Sequence, residues 1–520
     1  MQNKKILTVI LVALIVALGL FLRIYNIDSA PPGIYPDEAV NAEDAIRANT
    51  TGQYQWFYPA NQGREGLFMN LIALCFRLFG ISILTLKLPA ILAGTLTILG
   101  TFLLAKELFN RNVGLISSLL VAVSFWAINF SRISFRANLL PLILVFAFYF
   151  LFHGIRTEKK YNFAISGAIL GLGMHTYIAF RITPLILVFL LISLILTHQN
   201  FLKKNWPSLI IFIATILITS APMFYTLYIA HPEYAGSRSD SISVLSPAVN
   251  NGNLVGTFLR SFSLSLVKYN FWGDQNWRHN YPPYPLLDPL AGIAFLFGFI
   301  YALLKFLRLT YLRLFKKIRD DKLNIYTLLV VWFFAMLVPE FMTAESNPHA
   351  LRSIGTLPVV FIFAGLTFNY FLGKSKQQTY LIGKITVSLV ILMLITISLF
   401  NSVKYHYLWA NKPVVADSFN KNLTDISRYL QTLPPDKHTY VITSYNTLEK
   451  LPIYVFNSTR TNTQYLFTNQ VDRIQPGDNP FVIVMTARHE DALSALQVRY
   501  PALQMERIEA PLGSVYYILE

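Results

Sequence analysis

One cysteine, Cys75, stands in 520 residues, which excludes an intrachain disulfide framework and a cysteine-rich metal site. Charge is scarce as well. Only 13% of residues are Asp, Glu, Lys or Arg and 54% are hydrophobic, whereas a soluble domain carries about 25% charged residues. A soluble globular protein is therefore excluded, and a membrane protein is implied. Also lacking are an internal repeat, a low-complexity tract and a glycine loop of the GxGxxG or Walker type, so no segment is suited to cradle a nucleotide. The formal net charge is +16. The basic residues nevertheless fall in short clusters between apolar runs, the pattern of cytoplasmic loops, so no nucleic-acid partner is expected.

In place of charge the chain has apolar runs near the length of a membrane span, at 6–22, 82–105, 112–130, 139–155, 161–178, 182–197, 206–229, 288–305, 323–341, 352–372 and 378–400. The first is read as an uncleaved helix and not a signal peptide, because so many spans follow. Residues 67–79 are short and interrupted by Arg77. If they lie along the interface as an amphipathic helix, the basic loops 153–161, 198–206, 305–322 and 373–379 all fall on the side of Lys4 and Lys5. If they span, all four loops fall on the other side. The positive-inside rule selects the first threading.

The expected fold is thus mainly α: a polytopic membrane helix bundle of about 11 spans over residues 1–400, with the N-terminus cytoplasmic. A small extracytoplasmic α/β domain follows over 401–520, with helices near 418–433 and 490–498 and strands near 438–444, 481–487 and 514–520. Two long outer segments are expected, 23–81 with interfacial helices and 231–287.

This threading gathers the unusual polar residues on the outer face. Arg132 and Arg136, four apart, could share one helical face, and Arg181 and Arg352 join them. Each alone could be snorkelling to headgroups. Together they describe a basic pocket at headgroup depth, suited to a phosphate whose lipid tail stays in the bilayer. Asp37 and Glu38 sit where the chain leaves its first span. After Pro36 they could simply open a helix running to about Ala48, meeting the positive end of its dipole. They could also take a proton from an attacking hydroxyl while the arginines stabilise a departing lipid phosphate.

Arg64 and Glu65 begin the interfacial segment and could face the pocket or pair with each other. His175, Tyr177 and His349 could touch sugar or phosphate, or anchor the interface as ordinary belt residues. The aromatic stretch 268–289 suits a sugar or peptide acceptor or, equally, an aromatic belt. Asp274, His279 and Asp288 carry metal-capable donors at a spacing that matches no motif, so no metal site and no obligatory cofactor are expected, with divalent metal dependence left open.

PDEAVNAEDA (36–45), GREGLFMNLIALCFRLFG (63–80), KLPAILAGTLTILGTFLLAKELF (87–109) and FSRISFRANLLPL (130–142), in this order, resemble the GT-C integral-membrane glycosyltransferases, in particular the protein O-mannosyltransferase and aminoarabinose-transferase group. The resemblance covers roughly residues 1–400. It implies a polyprenyl-phosphate sugar donor, inversion at the anomeric carbon, and an acidic residue of the first outer loop as base, which here is Asp37 with Glu38 beside it. The chain departs from the pattern at Arg64-Glu65-Gly66, where relatives carry a Glu-Lys-Pro or proline-rich element, and at Asn138, where relatives are often acidic.

The function expected is transfer of a sugar from a polyprenyl phosphate to an extracytoplasmic acceptor, whether protein, lipid or polysaccharide. A transporter or flippase of a phosphorylated lipid is the alternative from another class, and it would place charges at the bilayer midplane, where few are found. A ligase using a lipid-diphosphate glycan would employ the same arginines.

Overall fold

A bilayer core offers no water to backbone N–H and C=O groups, so apolar runs of span length satisfy them as helices. In a computed structural model, described for residues 2–61, 63–234, 243–444, 446–476 and 480–520, nine described helices are long and apolar enough to cross a membrane. Residues 235–242 of the expected 231–287 loop lie outside the described residues. A tenth span forms if α5 (Arg111–Val123) and α6 (Phe125–Ser131), bent by 59°, count as one. The expected run 161–178 is a 14-residue helix, Lys160–Gly173, giving way to a 3-10 turn at Ile178–Ile182.

Local chemistry sets the remaining boundaries. Pro36 opens α2 (Pro36–Thr51), which ends at Gly52 with φ 72°. Asn110 caps α5 by accepting from the backbone N–H groups of Asn112 and Val113 at 2.9 and 3.1 Å. Asp288 caps the helix Pro289–Phe315 through Ala291 N–H at 3.0 Å. The segment expected to lie along the interface is helix α3 (Leu67–Phe79), and α1 and α4 span Gln2–Ile24 and Ile83–Leu108.

The chain divides into two compact units. One comprises Met1–Tyr25, Gln55–Phe68 and Ala90–Tyr405 and holds the spans from Arg111 to Ser375 together with α1. Inside it a two-residue hairpin pairs β1 (Phe57–Tyr58) with β2 (Arg64–Glu65), antiparallel, Phe57 opposite Glu65.

The other unit joins Asn26–Tyr54 and Met69–Pro89 to His406–Glu520. Its five-stranded sheet runs β4 (Thr463–Phe467), β3 (His438–Thr443), β5 (Phe481–Met485), β7 (Ser514–Leu519), β6 (Met505–Ala510). β3 is parallel to both neighbours, and β7 is antiparallel to both of its own. Period-two alternation splits the strands between two cores. Tyr440, Ile442, Ile483 and Met485 pack on Leu493 and Leu496 of the helix Glu490–Arg499. Val441, Val482 and Val484 pack on Leu423, Ile426 and Leu430 of Lys421–Thr432. The expected helices and strands of this domain are all present. β4 and β6 are additional.

The segment after the first span is built onto this sheet domain. Ile34 N–H donates to Thr424 Oγ1 at 3.2 Å, and Arg428 Nη2 donates to the Asp28 carbonyl at 2.6 Å. Gly33 runs so close to the backbone of Phe419 and Lys421 that a side chain has no room there.

Candidate active site

The carboxylate pair occupies the first turn of α2, in the sheet-bearing unit. With Tyr35 as the N-cap, Asp37 and Glu38 are the second and third helical residues. Glu38 is buried, and its Oε2 accepts from Tyr35 N–H at 3.1 Å, the backward half of a capping box. Asp37 is half-buried. Both lie at the positive end of the helix dipole.

The span-bearing unit holds the basic and aromatic candidates. Glu65 on β2 is buried and accepts from Arg136 Nε at 2.7 Å. The Arg136 guanidinium also lies 5.6 Å from the centre of the Tyr177 ring, within cation–π range. The hairpin is held tight by Gly66, whose N–H donates to the Trp56 carbonyl at 2.7 Å. A Cβ at Gly66 would strike the backbone of Gln55 and Trp56. Neighbouring strand residues face opposite ways, so Arg64, also buried, turns from Glu65 and donates from Nε to the Ala60 carbonyl at 3.2 Å.

His175 lies between Lys160–Gly173 and the turn that holds Arg181. Its ring is 5.4 Å from that of Trp56, and its Nε2 is 2.9 Å from the Thr219 carbonyl. Burial pushes the imidazole below its ordinary pKa, against the opposing pull of the Thr219 carbonyl and the Glu65 charge. Arg181 is half-buried in Ile178–Ile182. Glu65, Arg136, His175 and Tyr177 are thus gathered in one neighbourhood.

Arg132, at the end of α6, is fully buried; its Nη1 donates to the Leu22 carbonyl at 2.9 Å and its guanidinium lies 5.5 Å from the Tyr405 ring. Beside it Arg23 on α1 donates to Ser131 Oγ at 3.0 Å and to the carbonyls of Gly19 and Ala122 at 2.9 and 3.0 Å. Arg352 pairs with Glu345 at 3.0 Å.

His349 meets Asp274 and His279 from the 268–288 stretch. Asp274 Oδ2 is 3.1 Å from His279 Nδ1, and the two imidazole centres are 4.7 Å apart. Burial holds His349 well below the ordinary histidine pKa, helped by His279, Arg352, Lys268 and Arg278. Asp288, by contrast, is spent on its helix cap and on Asn401 Nδ2 at 2.9 Å. Four residues of these sites carry no motif in the sequence: Arg23, Trp56, and the fully buried ion pair of Lys268 and Glu340. Glu340, one charge in the apolar run 323–341, was the available signal for the last.

Comparison with known proteins shows the fold that carries this geometry. The chain is built on the GT-C fold: it superposes along 98% of its length on ArnT from Cupriavidus metallidurans bound to undecaprenyl phosphate, with TM-score 0.56, 14% identity and 97% of that chain covered. It superposes along 99% of its length on the oligosaccharyltransferase AglB from Archaeoglobus fulgidus, in complex with an inhibitory peptide and a dolichol-phosphate, with TM-score 0.52, 14% identity and 74% of that chain covered. In sequence, residues 67–225 match the family described as dolichyl-phosphate-mannose-protein mannosyltransferase. The chain is also 27% identical over 234 residues to the Bacillus subtilis (strain 168) protein named "Putative mannosyltransferase YkcB", a match that spans 42% of this chain and 31% of that relative's length.

Proposed function

We propose that this protein is a membrane glycosyltransferase that takes a sugar from a polyprenyl phosphate and passes it to an extracytoplasmic acceptor. The observation that carries this reading is that the stretch matching the mannosyltransferase family, 67–225, bears Arg132, Arg136, His175, Tyr177 and Arg181. Two likenesses support it. ArnT is described bound to undecaprenyl phosphate and AglB in complex with a dolichol-phosphate.

In this reaction the acceptor oxygen attacks the anomeric carbon as the bond to the lipid phosphate breaks, and the configuration inverts. Asp37 takes the acceptor proton, and the lipid phosphate leaves as an anion. Arginines hold that phosphate, since a guanidinium offers a planar fork of donors matched to it. Among the four candidates, Arg136 is favoured by its shared contacts with Glu65 and Tyr177, and Arg181, Arg132 and Arg352 complete the set. Arg64, Glu65, His175 and Tyr177 make contacts to the sugar or its phosphate. The N-terminus and the basic loops are cytoplasmic, and the 401–520 domain with its acceptor lies on the far side of the membrane.

The test is transfer by the purified protein in detergent, offered a panel of radiolabelled polyprenyl-phosphate sugars with membrane extract as acceptor. The expected result is label moved from one donor to an acceptor fraction with release of free polyprenyl phosphate. Tight donor binding with no consumption of any donor would overturn the transferase in favour of a lipid-phosphate carrier.

A further inference from the structure

Asp274, His279 and His349 come from two separate loop segments, and each brings a ligand-type atom within 4.8 Å of the other two. Nothing in the transfer chemistry uses them as a group. We propose that they form a binding site for one divalent transition-metal ion of the zinc type.

The first ground is an unmet donor. His349 is 9% exposed, and its Nδ1 is a buried atom without a hydrogen-bond partner. A desolvated polar atom left unpaired is destabilising, and an ion bound to it removes the deficit. The second is the state of Asp274. Its carboxylate accepts from Asn276 N–H at 2.8 Å and Ala350 N–H at 2.7 Å and faces His279 Nδ1 at 3.1 Å. That engages three of roughly four lone-pair positions and leaves one for an ion.

The third ground is preorganisation. His349 N–H donates to Glu340 Oε1 at 3.0 Å, and Glu340 is itself fixed by the buried Lys268. The residue after His349 is tied to Asp274, so the backbone that presents this ring is clamped on both sides. The Phe130 ring, 5.5 Å from that of His279, forms an apolar wall. Lys268, Arg278 and Arg352 would repel an ion, but Lys268 and Arg352 already have carboxylate partners, Glu340 and Glu345.

The donor set selects the metal class. Two imidazoles and one carboxylate suit zinc, whereas calcium and magnesium prefer oxygen ligands throughout. Tetrahedral zinc with bonds of about 2.0–2.2 Å sets its donors roughly 3.3–3.5 Å apart, so donors now within 4.8 Å of one another would draw in by up to about 1.5 Å. The ion would join the 268–288 stretch to the 343–353 segment and so fix the backbone three residues before Arg352.

The test uses tag-free full-length protein in detergent, stripped with chelator, reloaded with zinc and counted by mass spectrometry after gel filtration. One zinc per chain is expected, and His349→Gln and His279→Gln should each lose it while eluting as the stripped wild type does. X-ray absorption at the zinc edge of the wild type should show imidazole ligands, a reading that does not depend on any variant folding. Zinc absent from the wild type, retained equally by both variants, or bound without imidazole would each overturn the site.

Discussion

Glu65 accepts a 2.7 Å bond from Arg136 Nε, and the same guanidinium stacks over Tyr177. The pair links the hairpin of β1 and β2 to the turn at the start of the Arg136–Thr157 span. Their side chains are 4% and 12% exposed, so neither is bathed in water, and the bond keeps most of its strength. A guanidinium has five N–H donors. Holding one on Glu65 leaves others for the lipid phosphate of the proposed reaction.

Arg136→Ala should therefore weaken donor binding more than it slows turnover. Hydrogen bonds to charged groups contribute about 1.5–3 kcal/mol, which is roughly 10- to 150-fold in affinity. The expected result is a rise of that size in the KM for the lipid-linked donor, with kcat changed less. Arg136→Lys should restore charge but not the planar fork and recover the defect only in part. A donor KM unchanged in Arg136→Ala would remove this residue from phosphate binding.

Lys268 and Glu340 are both fully buried and paired. Removing one partner of such a pair strands a charge and costs about 3–5 kcal/mol, whereas replacing both with apolar residues of similar size is often neutral. Lys268→Met and Glu340→Leu should each lower the thermal midpoint in detergent by many degrees. The double variant should recover much of the loss, although the His349 N–H that Glu340 also accepts would stay unbonded. Single and double variants that lose stability equally would contradict this.

What was legible in the sequence follows from burial. Strands β3, β5 and β7 are the inner strands of their sheet and read as apolar runs; β4 and β6 are its edges, part-exposed along most of their length, and carry no such run. The run 161–178 read as one span because hydropathy does not register where Gly173 and Met174 end the helix. Asp37, Arg132, Arg136, Arg181 and Arg352 drew notice as charges at the ends of apolar runs. Their partners did not. The bond of Arg136 to Glu65 and that of the Ala350 N–H to Asp274 join residues 71 and 76 positions apart, and only tertiary structure brings them together.

His175 links pH to stability. Burial holds its folded pKa below the ordinary value, about 6.5. As pH falls below about 6.5 the unfolded chain takes up a proton that the folded chain resists, so folding loses stability on the acid side and is unaffected above about pH 7. Thermal midpoints of the wild type should fall between pH 7 and pH 5 more steeply than those of His175→Gln. Glu65 opposes the effect by favouring the charged ring, so Glu65→Gln should steepen the acid loss. Parallel pH profiles for wild type and His175→Gln would rule this linkage out.

The two neighbouring carboxylates of α2 can be separated by chemistry, since one already has a structural task. Glu38 bonds the Tyr35 N–H at 3.1 Å and is buried there. Glutamine keeps an acceptor oxygen at that place, so Glu38→Gln should retain the cap and most activity, while Glu38→Ala should cost about 1 kcal/mol of stability. Asp37 sits one position earlier on the same turn and is half-buried. Positioned general bases contribute about 10²- to 10⁴-fold, so Asp37→Asn should cut kcat by at least about 100-fold with the thermal midpoint unchanged. If instead Glu38→Gln is inactive and Asp37→Asn turns over normally, the base is Glu38. The cap would then be a bond released when the acceptor arrives, and a pH–rate profile should follow the Glu38 carboxyl alone.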